Sequence, residues 1–160
     1  MIQVGDRLPA VNLKRLTADG IKDVPIAEIT RGKKVVLFAV PGAFTPTCSE
    51  KHLPGFIQQA SALSAKGIDA ILCVAVNDPF VMSAWQKASG IDGQVELLSD
   101  GNAELTKALG LDFDASAAGL GIRSKRYAMV VDDGVVKTLL VEDVPSQAEK
   151  SSAQAILATL

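Results

Sequence analysis

Only two cysteines and one histidine occur among the 160 residues, and one of each falls in the stretch VPGAFTPTCSEKHLPGF, residues 40–56. Cys48 there follows a Pro/Gly-rich loop and has Thr, Pro, Thr and Ser as neighbours, unlike the apolar surroundings of a cysteine that serves packing. In the first turn of a helix, a thiol faces unpaired backbone N–H groups and the positive end of the dipole. Its pKa is expected to fall below the usual value of about 8.5, and the thiolate is the reactive form. Thr45, one turn earlier, carries a hydroxyl able to hydrogen-bond both the thiolate and an oxygen that approaches it. Such a pair suits in-line attack on an O–O bond, whose barrier falls when donors stabilise charge on the departing oxygen. A cation beside the sulfur is needed as well. Arg126, in SKRYAMVV, is the candidate, with Arg123 as a rival further into the preceding loop.

His52, four residues after Cys48, lies on the same helix face and could act as the base of a Cys/His hydrolase. That chemistry also requires an oxyanion hole and a third group to orient the imidazole. Neither is visible, so a surface or supporting hydrogen bond is the expected role. One histidine and two distant cysteines make no metal-ligand cluster of known spacing, and no metal or cofactor is expected. Pro54 and Gly55 interrupt the helix soon after Cys48. Proline cannot donate to the carbonyl four residues back, which loosens the turn and lets an oxidised sulfur be exposed to a second thiol.

The elements that must position these residues follow from the apolar pattern. Val11 to Leu16 and Ile21 to Val24 flank Ala18-Asp19-Gly20 and read as an N-terminal hairpin, with a short helix from Pro25 to Thr30 after it. Lys34 to Val40 and Asp69 to Val76 are apolar on both faces, as strands covered by helices on both sides are. Phe56, Ile57, Ala60 and Leu63 recur at helical spacing between them, and Gly67 stands where a C′ glycine ends a helix. This is a βαβ unit with parallel, neighbouring strands. A helix from Asn77-Asp78-Pro79 to about Ala88, a strand over Val95 to Leu98 and a helix from about Ala103 to Leu109 come next. Gly110 to Gly121 reads as a loop. Lys125 to Val131 and Val135 to Val141 flank Asp132-Asp133-Gly134, a hairpin signal, and a last helix covers about Ser151 to Leu160.

A parallel βαβ followed by an antiparallel hairpin and a closing helix predicts an α/β, thioredoxin-like fold with a central mixed sheet and an extra N-terminal β-hairpin. Cys48 then lies just past the C-terminal end of a central strand, where open sheets bind their ligands. The first strand of the hairpin starts near where its neighbour ends, which brings Arg126 to the Cys48 pocket. A thioredoxin-type dithiol enzyme would carry CxxC at this turn; Thr45 stands where the first cysteine would be.

A single domain spanning residues 1–160 is expected from the length and the 48% hydrophobic content. The net charge of −2, with no basic stripe, argues against nucleic acid or an anionic membrane as partner. The apolar runs VVLFAVPGAF and AILCVAV are too short to span a bilayer. MIQVGDRLPAVNL lacks the basic and apolar regions of a secretory signal, and two cysteines form no disulfide framework. A cytoplasmic location is expected.

PGAFTPTCSEKHLPGF closely resembles the active-site segment of the type II, or atypical, subfamily of peroxiredoxins. VGDRLPA, CVAVNDPFVMSAW, LLSDG and GIRSKRYAMVVDDG resemble their counterparts too, so the likeness covers nearly the whole chain. It implies a thiol peroxidase acting on hydrogen peroxide and alkyl hydroperoxides. Pro41 would shield the pocket, Thr45 hydrogen-bond the thiolate and peroxide, Cys48 be the peroxidatic nucleophile and Arg126 the activating cation. A homodimer is also implied. Some members carry a resolving cysteine near the C-terminus, but the matching region EDVPSQAEKSSAQAILATL has none, and Lys150 stands there. Cys73, in AILCVAV, resembles the second cysteine of plant and bacterial members. At about 3.3 Å per residue it sits on the order of 10 Å below the sheet edge that holds Cys48, and a disulfide needs Cα atoms within about 7 Å. Cys73 is either a core residue or a resolving thiol. An external thiol, glutathione with glutaredoxin rather than thioredoxin, is the expected reductant; a peroxide-sensing relay of low turnover is the alternative.

Overall fold

Six consecutive apolar residues follow Lys34, and only a strand covered on both sides buries them all. Val35 through Val40 are each fully inaccessible to solvent. The computed structural model describes residues 1–160. In chain order it contains β1 (Asn12–Thr17), β2 (Gly20–Pro25), α1 (Ile26–Thr30), β3 (Lys34–Val40), α2 (Leu53–Gln58), α3 (Ala60–Ala65), β4 (Ala70–Ala75), α4 (Pro79–Ala88) and β5 (Glu96–Ser99). Then come α5 (Glu104–Leu109), β6 (Asp112–Asp114), β7 (Ile122–Ser124), β8 (Tyr127–Asp132), β9 (Val135–Val141) and α6 (Ala153–Leu157).

Seven strands form one mixed sheet in the order β2-β1-β5-β4-β3-β8-β9. β3 pairs with β4 in parallel, Phe38 opposite Cys73, and with β8 antiparallel, Ala39 opposite Tyr127. The expected parallel neighbours and N-terminal hairpin are both present, and the architecture is the α/β, thioredoxin-like one. Alternation along β3 divides the core. Val36, Phe38 and Val40 face a layer with Leu53, Phe56, Trp85 and Ile156. Val35, Leu37 and Ala39 face Leu105, Leu109, Tyr127 and Met129. Phe38 stacks on Phe56 with ring centroids 4.1 Å apart, and truncating either ring to alanine would cost about 3–5 kcal/mol.

Three expectations need correction. The helix expected across residues 56–63 is two short helices, α2 and α3, broken at Gln59, whose φ of −96° and ψ of 6° leave the helical region. Gly110 to Gly121 is not only loop, because β6 pairs with β7 in a small separate sheet, Phe113 opposite Arg123. Three-residue strands leave too short an alternation to be read. The closing helix is confined to Ala153–Leu157, capped by Ser152, whose Oγ accepts the Ala155 N–H at 3.1 Å. The β8–β9 turn follows the Asp-Asp-Gly signal: Asp133 and Gly134 have φ of 49° and 81°, the positive pair of a primed hairpin turn.

Candidate active site

β3 ends at Val40 and delivers the PGAFTPTC segment at the C-terminal edge of the sheet. The loop is packed closely. A Cβ on Gly42 would come within 3.1 Å of Thr45 Cγ2 and 3.2 Å of Arg123 Nη1, so any larger residue would push on both side chains. Phe44 holds a φ of 65° with its ring exposed, a left-handed conformation that is strained for a bulky residue and typical of functional loops. Asn77, expected only as part of a helix cap, instead accepts the Ala43 N–H on its Oδ1 at 2.9 Å; Asp78 is the cap of α4, accepting from the Val81 N–H.

Cys48 opens a π-helical turn, Cys48–His52, in which the Leu53 N–H bonds the Cys48 carbonyl five residues back. Its side chain is fully buried. The wide turn and the side-chain direction bring Cys48 and His52 against the start of β8, where Arg126 lies just before Tyr127. Arg126 is 2% exposed, and every edge of its fork is used. Nη2 donates to Cys48 Sγ at 3.0 Å, Nη1 to His52 Nδ1 at 3.0 Å and Nε to the Pro145 carbonyl at 3.0 Å. A planar guanidinium held at three points presents its charge to the sulfur in one fixed direction.

The histidine tautomer follows from its partners. His52 Nε2 lies 2.8 Å from the Ser151 carbonyl oxygen, which can only accept, so Nε2 carries the proton and Nδ1 receives the Arg126 N–H. Burial between Phe38 and Phe56, with ring centroids 5.0 and 5.6 Å away, and then the Arg126 charge hold its pKa down to about 3. Both nitrogens are committed, so His52 has no lone pair with which to deprotonate Cys48. The hydrolase arrangement is absent, and the histidine supports Arg126 rather than the surface.

Thr45 stands one turn before the sulfur, but its hydroxyl donates to the Gly42 carbonyl at 2.7 Å and not to Cys48. This corrects the expectation of a bond to the thiolate. With its proton engaged, the oxygen is left only to accept, which suits it to a peroxide O–H rather than to the thiolate. Pro41 is buried directly after β3. Arg123 reaches the same loop, its Nη1 3.5 Å from the Pro41 carbonyl and its Nε 2.8 Å from the Leu120 carbonyl, so it braces the loop without touching the sulfur.

Cys73 is fully buried on β4 and shares the apolar layer of Cys48. Burial, then the nearby Cys48, push its thiol pKa well above the ordinary value, with Arg126 pulling weakly the other way. Both cysteines are free. Sequence reading missed the segment after β9: Pro145 and Ser151 supply carbonyls, and a carbonyl leaves no mark in a sequence.

The redoxin family profile matches residues 3–157. Peroxiredoxin-2C of Oryza sativa subsp. japonica is 49% identical over 160 residues, 99% of this chain and 98% of that protein. The rice chloroplastic peroxiredoxin-2E-2 is 60% identical over 147 residues, 89% of this chain but 65% of that longer protein, so the chain spans slightly less than two thirds of it. The crystal structure of reduced Prx3 from Vibrio vulnificus in complex with hydrogen peroxide superposes with a TM-score of 0.94 at 53% identity, covering 99% of both chains. The chain belongs to the redoxin family and, within it, to the type II peroxiredoxins.

Proposed function

We propose that the chain is a thiol-dependent peroxidase that reduces hydrogen peroxide and alkyl hydroperoxides at Cys48. The observation that carries this reading is the buried Cys48 sulfur facing Arg126 Nη2 at 3.0 Å; that the Vibrio relative was solved with hydrogen peroxide supports it. The thiolate attacks the nearer peroxide oxygen in line with the O–O bond. An S–O bond forms, the O–O bond breaks, and the sulfur gives up two electrons to become a sulfenic acid. The departing oxygen leaves as ROH, taking a proton from solvent that balances the one the thiol lost. Arg126 stabilises charge as it moves from sulfur to the departing oxygen, and Thr45 Oγ1 accepts from the peroxide O–H and so orients it.

An external thiol then reduces the sulfenic acid, glutathione with glutaredoxin rather than thioredoxin. It attacks the sulfur, releases water and leaves a mixed disulfide, which a second thiol resolves. Two features support an external thiol: residues 142–160 contain no cysteine, and the only internal candidate, Cys73, is buried with its thiol strongly disfavoured from ionising. A homodimer is consistent with exposed Phe44 beside a groove lined by Trp85, Ile57 and Pro54. Two free thiols fit a reducing compartment such as the cytoplasm. The test is steady-state consumption of hydrogen peroxide with each reductant, Cys48→Ser alongside. Turnover with thioredoxin but not with glutathione and glutaredoxin would sink the reductant assignment. Oxidation without turnover would mark a peroxide-sensing relay instead.

A further inference from the structure

Two of the acceptors that fix Arg126 and His52 are backbone carbonyls, those of Pro145 and Ser151. They belong to a stretch, residues 143–151, that has no strand or helix and is mostly exposed until it ends at the buried Ser151. Such a segment has little packing to hold two carbonyls within hydrogen-bond distance of a buried guanidinium and imidazole. Closure comes from Glu142. It is 7% exposed, and its Oε2 accepts both the N–H and the Oγ–H of Ser151 at 2.5 Å each. Its own N–H donates to the Arg126 carbonyl at 3.0 Å. The carboxylate therefore ties the two ends of the segment together directly beside Arg126.

Glu142 Oε1 is buried with no hydrogen-bond partner. An unpaired buried carboxylate oxygen works against stability, so the residue needs a reason other than stability. The exposed ion pair of Lys150 with Asp143, 2.5 Å apart, spans nearly the same loop, but contacts of that kind are screened and hold little.

We propose that Glu142 and Ser151 are positioning residues for the peroxide reaction: by closing the segment they hold the Pro145 and Ser151 carbonyls, and through them the aim of Arg126 at the Cys48 sulfur. Arg126 Nε and His52 Nε2 each lose their acceptor if the segment drifts. The guanidinium can then turn from the sulfur although no catalytic group has changed. The proposal rests on the peroxidase reading above.

The experiment measures, on the full chain, the second-order rate constant for hydrogen peroxide and the rate of Cys48 alkylation by iodoacetamide, with a thermal melt to show that each variant is folded. Glu142→Ala should react with peroxide about 10- to 100-fold more slowly, the scale of a misplaced catalytic group, without a parallel fall in alkylation. Glu142→Gln keeps an oxygen to accept from Ser151 and should restore most of the rate. Ser151→Ala, a milder change that removes one of the two donors, should lie between wild type and Glu142→Ala. Lys150→Ala should match wild type. If folded Glu142→Ala or Ser151→Ala reacts with peroxide as fast as wild type, or if peroxide and alkylation rates fall together, the proposal is overturned while the peroxidase reading stands. A wild-type protein inert to peroxide overturns both.

Discussion

Replacing Arg126 with alanine removes two buried hydrogen bonds, to Cys48 Sγ and His52 Nδ1, and a partly buried one to the Pro145 carbonyl, each 3.0 Å long. A guanidinium and a thiolate at 3.0 Å attract by about 5 kcal/mol at an effective dielectric of about 20. Most of that attraction is already present with the thiolate at rest and does nothing for the barrier. Only the part that grows as charge moves onto the departing oxygen accelerates the reaction. Removing one preorganised donor to such a charge costs about 100- to 1000-fold, or roughly 3–4 kcal/mol. Arg126→Ala should therefore slow the peroxide step by that factor. Arg126→Lys keeps the charge but can serve only one edge of the fork, so it should recover only part of the loss. Trp85 makes the assay direct, since its Nε1 donates to Ser49 Oγ at 3.0 Å, one residue from the sulfur. Stopped-flow fluorescence on reduced protein gives the rate constant, and urea denaturation shows that the variant is folded. A loss of less than about tenfold, or a larger effect from Arg123→Ala, would refute the reasoning, because Arg123 touches only the carbonyls of Leu120 and Pro41.

Thr45→Val should slow the peroxide step by about 10- to 100-fold while Thr45→Ser stays near wild type; equal rates for the two in stopped flow would show that the hydroxyl is idle. For His52, the folded pKa of about 3 lies below the ordinary 6.5, so between those values the unfolded chain binds a proton that the folded one refuses. Stability present above the unfolded pKa is lost as pH falls toward the folded one, by about 1.4 kcal/mol per unit. Urea midpoints at pH 7 and pH 5 should thus show about 2 kcal/mol more acid loss in wild type than in His52→Gln, and parallel shifts would contradict it. Cys73→Ser should react with peroxide at the wild-type rate, and mass spectrometry of oxidised wild type should find sulfenic acid on Cys48. A disulfide that Cys73→Ser abolishes would make Cys73 the resolving thiol.

What the sequence reveals and hides divides along the kind of group involved. The apolar runs of β3 and β4 fix the centre of the sheet, and from that centre the antiparallel start of β8 brings Arg126 to Cys48, as the structure has it. Side-chain periodicity carries that information. The π-helical turn does not, because Cys48 and His52 are spaced four apart in any helix, and the i−5 bond from Leu53 depends on how the following helix packs. The state of His52 was likewise hidden: it follows the charged Glu50 and Lys51, and the tertiary contacts with Phe38 and Phe56 bury it. For Thr45 the sequence offers a hydroxyl but not its partner: a rotatable hydroxyl chooses among acceptors, and the Gly42 carbonyl wins. Residues 142–151 gave no periodic signal at all, since their contribution to the site is made by backbone oxygens and one lone carboxylate.

The arrangement that aims charge at the sulfur also hides it. Cys48 is fully buried, and its turn is tied to the segment after β9 through Arg126, through His52 to the Ser151 carbonyl, and through Thr47 Oγ1 to the Ser146 carbonyl at 3.2 Å. A peroxide is small and needs little displacement to reach the sulfur. A thiol on a peptide or protein is bulky and needs the turn itself to move. In the proposed cycle, oxidation thus demands the closed arrangement and reduction an open one. The chemistry supplies the difference: a thiolate attracts Arg126 as an ion, whereas a neutral sulfenic acid does not. The strongest tie weakens in the same step that creates the need to open. Pro54, just past the turn, has no N–H to return to the Glu50 carbonyl, which leaves one backbone tie fewer to undo. In that proposed cycle, reactivity before oxidation and release after it both follow from one guanidinium and the charge on one sulfur.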